Sequence, residues 1–221
     1  MHIELTDKNP RLFYSADDFP QLKILEDNYE IILEELTALR KNSLNGYWLD
    51  TFPSYLDEKS ENKWKVFTFK FFGIKHPSNC RLCPKTADLV TNKLDLVSCD
   101  FSYLPAKTHI NPHYGFTKAV LRGHLGLVVP DDCALRVGNE VHKWEEGKLM
   151  IFDDSFEHEA WNNSNEDRFV LMFDLPNPGW NYTSEEINRY HIENLKDEFL
   201  LKMFTKEQWN HFYKIKEFDI F

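Results

Sequence analysis

The stretch Ile151-Phe-Asp-Asp-Ser-Phe-Glu-His158-Glu-Ala-Trp161 contains the end of one strand-like segment, an acidic connection and the start of another. Similar segments recur at intervals of roughly ten residues on both sides of it. Seven strands are predicted, at residues 97–104, 118–129, 134–137, 140–144, 148–152, 157–161 and 168–175. Short strands at this spacing predict an all-β sandwich or barrel.

The region before these strands has a mainly helical and aromatic pattern. Residues 15–43 repeat apolar side chains at helical spacing, after a capping box formed by Asp18 and Gln21. Residues 65–72 alternate and predict one further strand. Residues 86–93 predict a short helix.

The region after the strands is helical. Capping boxes that begin at Thr183 and Thr205 predict two helices. We therefore predict a single domain over residues 1–221. Its parts are an N-terminal helical and aromatic flank at 1–94, a β core at 95–176 and C-terminal helices at 177–221.

Composition excludes several classes of partner. The chain has 221 residues, and its formal net charge of −10, without a basic stripe, argues against binding to nucleic acid or to an anionic membrane surface. No apolar run approaches the roughly 20 residues that cross a bilayer. The N-terminus has no signal-peptide pattern, so we expect a cytoplasmic protein with reduced cysteines. Cys80 and Cys83 form a lone CxxC, which we interpret as structural thiols.

Two polar side chains share one face of the strand predicted at 118–129. Because side chains alternate along a strand, Arg122 and His124 lie on one face and the neighbouring leucines on the other. Such a face could line a pocket. A solvent-facing strip of an ordinary sheet would have the same pattern.

Arg168 enters an otherwise apolar strand. A buried guanidinium needs a partner, because an uncompensated charge is costly to bury. A bound carboxylate, held by two parallel hydrogen bonds, would be such a partner, and so would an Asp or Glu of the protein.

Two histidines frame the predicted sheet. His113 is expected in a loop between two strands, and His158 near the start of a later strand. In a small barrel these two segments can converge at one opening. Neutral imidazoles suit Fe(II), and two of them leave coordination positions open.

Residues ~95–176 resemble the aspartyl/asparaginyl β-hydroxylase family of Fe(II)/2-oxoglutarate dioxygenases. The resemblance rests on an ordered series of segments: Pro112-His-Tyr-Gly115, Leu121-Arg-Gly-His-Leu-Gly-Leu127, Trp144-Glu-Glu-Gly-Lys148, Ile151 to Trp161, and Arg168. It implies a mainly β fold, a double-stranded β-helix (jelly-roll, cupin-like), with flanking helices. This agrees with the strands predicted from the pattern.

The resemblance implies an iron site. His113 and His158 match the iron-binding histidines of the family. Position 115 is glycine, where most oxygenases of the wider superfamily have a carboxylate ligand. A branch of this family also has glycine there. Asp153, Asp154 or Glu157 could in principle replace that ligand, but Glu157 should point away from its neighbour His158.

The resemblance also implies a site for 2-oxoglutarate. Arg168 matches the arginine that pairs with the distal carboxylate of this cofactor. Ser102 lies where the family has a serine that assists it. Arg122 and His124 match residues near the other carboxylate.

The function that follows is an Fe(II)/2-oxoglutarate-dependent hydroxylase of an unactivated carbon, with O2 as co-substrate. The resemblance favours the β-carbon of an Asp or Asn residue, or a related amino acid or small molecule, and a lipid acyl chain is a further alternative. Gly115 keeps open a non-catalytic, cupin-like sensor barrel. A metal-dependent isomerase or hydrolase on the same barrel would not need Arg168. The sequence does not predict the oligomeric state.

Overall fold

The computed structural model describes residues 11–41, 47–56 and 63–218. Twelve strands occur in this part of the chain: β1 Phe13–Tyr14, β2 Leu49–Asp50, β3 Lys65–Phe71, β4 Ile74–Lys75, β5 Ser98–Leu104, β6 Thr108–His113, β7 Val120–Val128, β8 Cys133–Val137, β9 Glu140–His142, β10 Leu149–Phe152, β11 His158–Asn162 and β12 Arg168–Pro176.

Seven α-helices accompany the strands in the same described ranges. They are α1 Lys23–Asp27, α2 Tyr29–Lys41, α3 Pro77–Leu82, α4 Pro84–Asp88, α5 Ser184–Glu193, α6 Glu198–Met203 and α7 Lys206–Ile215. None of these helices is both long enough and apolar enough to cross a bilayer.

The strands form two antiparallel sheets. The large sheet has eight strands, in the order β1-β10-β7-β12-β5-β3-β2, with β4 paired to β3. The small sheet has four strands, in the order β6-β11-β8-β9. Neighbours in space are mostly distant in sequence, as in a double-stranded β-helix. The predicted mainly β, jelly-roll fold with flanking helices is confirmed.

The outer face of the large sheet packs against the N-terminal helices. Alternate residues of β7 and β12 point to this face, and their side chains are apolar and almost completely buried, as strand alternation predicts. The residues are Leu121, Leu125, Leu127, Phe169, Leu171 and Phe173. Each such side chain contributes about 1.5–3 kcal/mol by burial. The other face of the same strands is thereby directed towards the small sheet.

The β structure extends beyond the predicted core. Strands β1 to β4 come from residues before 95, and β3 lies between β5 and the edge strand β2 of the large sheet. A boundary at residue 95 therefore does not separate the flank from the β core.

The prediction that His113 lies in a loop is wrong. His113 is the last residue of β6, which pairs with β11. This strand was not predicted from the sequence because Asn111 and Pro112 are both poor strand formers. Proline is tolerated here because β6 is an outer strand of the small sheet.

The predicted N-terminal helix is also wrong in detail. Ser15, rather than Asp18, is the N-cap, and Asp18 closes its capping box around a short 3-10 turn. The helix is then divided at Asn28, whose side chain donates to the carbonyl of Ile24. Residues 86–93 end in a π-helical turn, Leu89–Lys93, after α4.

The C-terminal caps are confirmed, and one further helix occurs between them. Thr183 and Thr205 form the capping boxes of α5 and α7 with Glu186 and Gln208. The additional helix, α6, is capped by Asp197.

Candidate active site

His113 and His158 form a cross-strand pair in the small sheet. They are register partners on β6 and β11, and their ring centroids are 4.2 Å apart. The Nδ1 atoms lie 2.8 Å from the carbonyl oxygen of Asn111 and 2.9 Å from that of Phe156, respectively. A carbonyl accepts only, so each Nδ1 carries the proton and each Nε2 keeps its lone pair. The two Nε2 lone pairs could therefore bind one metal ion.

Both imidazoles are held neutral. Burial lowers the pKa of His113 to about 4, and burial together with the neighbouring His113 lowers the pKa of His158 to about 3. Tyr55 stacks on the His113 ring at 4.1 Å between centroids and restricts its rotation. A metal ligand must be deprotonated, so this state fits metal binding at neutral pH.

Arg168 is a buried cation for which the described part of the chain supplies no counter-ion. Only 2% of the residue is exposed, and its guanidinium lies 4.9 Å from the centroid of the Trp144 ring. Its Nε and Nη1 have no hydrogen-bond partner among the described residues. Burial lowers its pKa to about 10, so it remains charged at neutral pH. An uncompensated buried charge costs several kcal/mol, and a bound carboxylate would remove this cost.

His124 and Ser102 present hydrogen-bond donors beside Arg168. Trp144 Nε1 donates to His124 Nδ1 at 3.0 Å, so the proton of this neutral ring is on Nε2, which has no partner in the described structure. Trp64 Nε1 donates to Ser102 Oγ at 2.9 Å, which leaves the hydroxyl proton of Ser102 to donate. Both residues line one cavity with His113, His158 and Arg168. The donor set suits a carboxylate.

The two halves of this cavity belong to different sheets. Both histidines of the pair lie on the small sheet, at β6 and β11. The hydrogen-bond donors Ser102, His124 and Arg168 lie on β5, β7 and β12 of the large sheet. The structure thus brings all six predicted site residues together around one space between the sheets, although Arg122 differs from the other five.

Arg122, the sixth, lines the cavity but already has protein partners. Its guanidinium is bound by both carboxylate oxygens of Asp174, at 2.8 and 3.1 Å, and lies 3.4 Å from Asp154. Its predicted contact with the cofactor stays a prediction, because a ligand would have to share this cation with two carboxylates.

Gly115 leaves space that Asp154 fills. A Cβ atom at position 115 would lie 2.6 Å from Asp154 Oδ1, well inside van der Waals contact. The Gly115 N–H also donates to the Asp154 carbonyl oxygen at 2.7 Å. A carboxylate side chain at 115 is therefore incompatible with this packing.

A third metal ligand is not visible in the described ranges. No group of three or more His, Cys, Asp or Glu side chains there is close enough to hold a metal ion. Glu157 points away from His158 and binds Arg136 at 3.0 Å, as strand alternation predicted. The two-histidine arrangement leaves the remaining positions for a cofactor, a substrate or water.

Sequence reasoning missed the side chains that orient the site. Tyr55 and Trp64 come from an irregular aromatic segment that had no recognisable pattern. Trp144 sets the tautomer of His124 and packs under Arg168, roles that depend on tertiary contacts. Cys80 and Cys83 are free thiols, and burial raises the pKa of Cys83 to about 12, in agreement with a structural role.

Comparison with known proteins gives consistent matches. The model of a family described as aspartyl/asparaginyl β-hydroxylase matches residues 26–178. The chain is 37% identical over 175 residues to the ornithine lipid ester-linked acyl 2-hydroxylase of Rhizobium tropici, with 77% of this chain and 62% of that protein covered. It is 35% identical over 163 residues to the aspartyl/asparaginyl β-hydroxylase of Mus musculus, with 71% and 22% covered.

These relatives are longer than the matched region. The chain spans less than two thirds of the length of each of these two proteins. Among solved structures, a Pseudomonas putida prolyl-4-hydroxylase is similar with a TM-score of 0.45 and 15% identity, over 67% of this chain and 87% of that one.

Proposed function

We propose a function from one premise: the chain belongs to the aspartyl/asparaginyl β-hydroxylase family. We infer that it is an Fe(II)- and 2-oxoglutarate-dependent hydroxylase of an unactivated carbon atom. One observation carries the inference. Arg168, buried and without a counter-ion among the described residues, faces the same cavity as two neutral histidines whose Nε2 atoms keep their lone pairs.

The residues present fit both groups. The Nε2 atoms of His113 and His158 would hold Fe(II), and Arg168 with Ser102 would hold a carboxylate of 2-oxoglutarate. The Nε2–H of His124, which has no partner among the described residues, would be a further donor for the same molecule. Bound iron would supply the activation of O2 that hydroxylation of an unreactive carbon requires.

The protein's own contribution is orientation and exclusion of water. The two backbone carbonyls fix the imidazole tautomers, and Tyr55 fixes one ring plane. Trp144 orients His124 and covers the guanidinium of Arg168. The near-complete burial of these groups strengthens their interaction with a bound anion.

For the substrate we propose two candidate classes. The names of the two relatives describe hydroxylation of a lipid acyl chain and of Asp or Asn residues. The β-carbon of an Asp or Asn residue, or a carbon of a related amino acid or small molecule, is thus one candidate, and an acyl chain is another. The cytoplasmic location stays a prediction.

The alternative of a non-catalytic barrel rested on Gly115. The packing of Asp154 against this glycine explains why position 115 has no side chain. The glycine therefore does not by itself indicate a lost iron site. The complete set of donors around Arg168 supports an active enzyme.

Anaerobic titration tests the proposal directly. We expect Fe(II) and 2-oxoglutarate together to give a visible charge-transfer band, and admission of O2 to give succinate. His158→Ala should abolish the band, whereas His109→Ala, which changes a half-exposed histidine paired to Glu159, should not. Absence of both the band and succinate with the unmodified protein would contradict the proposal.

A further inference from the structure

A larger, mainly apolar cavity adjoins the candidate active site. Its walls come from β2, β3, the segment after β6 and the C-terminal helices. Six apolar side chains define it, and we call it the apolar cavity: Phe52, Phe71, Phe72, Phe116, Phe199 and Met203. The C-terminal helices, to which the sequence assigned no role, thus help to form a space beside the site.

The apolar cavity is continuous with the metal-binding pair through shared side chains. Trp64, Arg122 and Met172 line both cavities. Tyr55, which stacks on the ring of His113, also stacks on Phe52 at 5.3 Å between centroids. A molecule in the apolar cavity would therefore reach the neighbourhood of the metal ligands.

The end of the cavity nearest the site is polar, and no residue of the described ranges offers a free cation there. Among the described residues that line the apolar cavity, Arg122 is the only basic one, and Asp174 binds it with both oxygens. Asp100 lies beside them, only 5% exposed, and its Oδ1 has no partner in the described structure. Burial raises the pKa of Asp100 to about 7.

This arrangement is unfavourable for an acidic substrate. A substrate carboxylate would meet Asp100 and Asp174 without an uncompensated positive charge, and the desolvation cost would not be recovered. Above its pKa of about 7 Asp100 is ionised, and a polar group that donates N–H would then satisfy its Oδ1. The apolar walls would gain about 0.8 kcal/mol for each methylene that they bury.

We propose that the apolar cavity holds the hydrocarbon chain of the substrate, with an N–H-bearing polar group at the Asp100 end. The substrate class is then an amphiphile with an acyl or alkyl chain, rather than a peptide with an acidic side chain. The interpretation of the apolar cavity as a substrate site rests on the proposed hydroxylase function. Chain binding itself does not require iron.

The test is calorimetric titration of the metal-free protein at pH 8, where Asp100 is ionised, with short amphiphiles below their micelle concentrations. The probes are hexanamide, octanamide and decanamide, with octylamine and octanoate as charge variants and N-acetyl-aspartate amide as the acidic probe. We expect affinity to rise by about fourfold for each fully buried methylene. Octanamide and octylamine should bind at least tenfold more tightly than octanoate.

Two matched variants locate the binding. Met203→Trp fills the apolar cavity and should weaken decanamide binding at least tenfold, and hexanamide binding less. Ile215→Trp places the same bulk on an exposed position of the adjacent helix, outside the cavity, and should leave all affinities unchanged. If Met203→Trp does not unfold cooperatively, Phe199→Ala replaces it, and the enlarged cavity should shift the preference towards longer amides.

Several outcomes would overturn the inference. These are affinity independent of chain length, tightest binding of octanoate or of the acidic probe, or unchanged binding in the cavity variants. Succinate formation is measured separately with Fe(II) and 2-oxoglutarate. Amide binding without succinate would refute the hydroxylase proposal alone, and succinate without amide binding would refute the chain site alone.

Discussion

Arg168 carries a positive charge at neutral pH in a place where no described side chain compensates it. Proteins rarely retain such a group unless a ligand completes it, because the folded state is less stable while the ligand is absent. The same side chain should thus have opposite effects on the stability of the free protein and on cofactor binding.

We predict that Arg168→Met stabilises the metal-free protein and weakens 2-oxoglutarate binding. Methionine keeps much of the volume and removes the charge, so the midpoint of thermal unfolding should rise by a few degrees. 2-Oxoglutarate affinity should fall at least tenfold, while Fe(II) affinity should change little. Calorimetry and thermal unfolding measure both effects, and a lower unfolding midpoint would contradict the account.

Gly115 and Asp154 are coupled by contact. Gly115→Ala should destabilise the protein by about 1–3 kcal/mol, since the added methyl group overlaps the Asp154 carboxylate. In the double variant with Asp154→Ala, most of this cost should disappear. Denaturant unfolding of the four proteins gives the interaction energy, and additive effects would show that the contact is unimportant.

At the scale of the element, β5 places Asp100 opposite both Thr68 of β3 and Met172 of β12. Its carboxyl is buried in the middle of the large sheet, and burial raises its pKa from 3.8 to about 7. Between pH 3.8 and about 7, Asp100 is protonated in the folded protein and ionised in the unfolded chain. This contribution to stability is therefore present at acidic pH and is lost as the pH rises towards 7.

We predict that Asp100→Asn alters the pH profile of unfolding. The amide keeps the shape and does not titrate. The free energy of unfolding of the variant, relative to that of the wild type, should therefore increase as the pH rises from 4 to 7. The difference should level off above pH 7, at no more than about 4 kcal/mol. Denaturant unfolding across this range tests it, and parallel profiles would refute the raised pKa.

The strands illustrate what sequence can predict. The faces of β7 and β12 followed from simple alternation, because Leu125 and Phe173 are buried on one side while His124 and Arg168 point to the other. By contrast, β6 escaped prediction, because its identity as a strand depends on pairing with β11 rather than on local propensity.

At the scale of the whole molecule, the candidate site depends on contacts between distant segments. The sequence indicated that Arg168 needs a partner, but not that Arg122 already has one. Asp174 faces Arg122 only because β7 and β12 pair in that register. Tyr55 and the C-terminal helices likewise reach the site through tertiary packing, which leaves no periodic trace in the chain.

The division of the site between two sheets has a thermodynamic consequence. Fe(II) alone would engage the small sheet and 2-oxoglutarate alone the large sheet, whereas the two bound to each other would join the sheets. Each should then increase the affinity of the protein for the other by the same factor, as linkage requires. We predict that both together raise the unfolding midpoint by more than the sum of their separate effects, and that Arg168→Met removes this excess. Thermal unfolding with each ligand alone and with both measures the coupling. Cofactor supply would then determine how firmly the two sheets are held together, as well as whether the reaction can proceed.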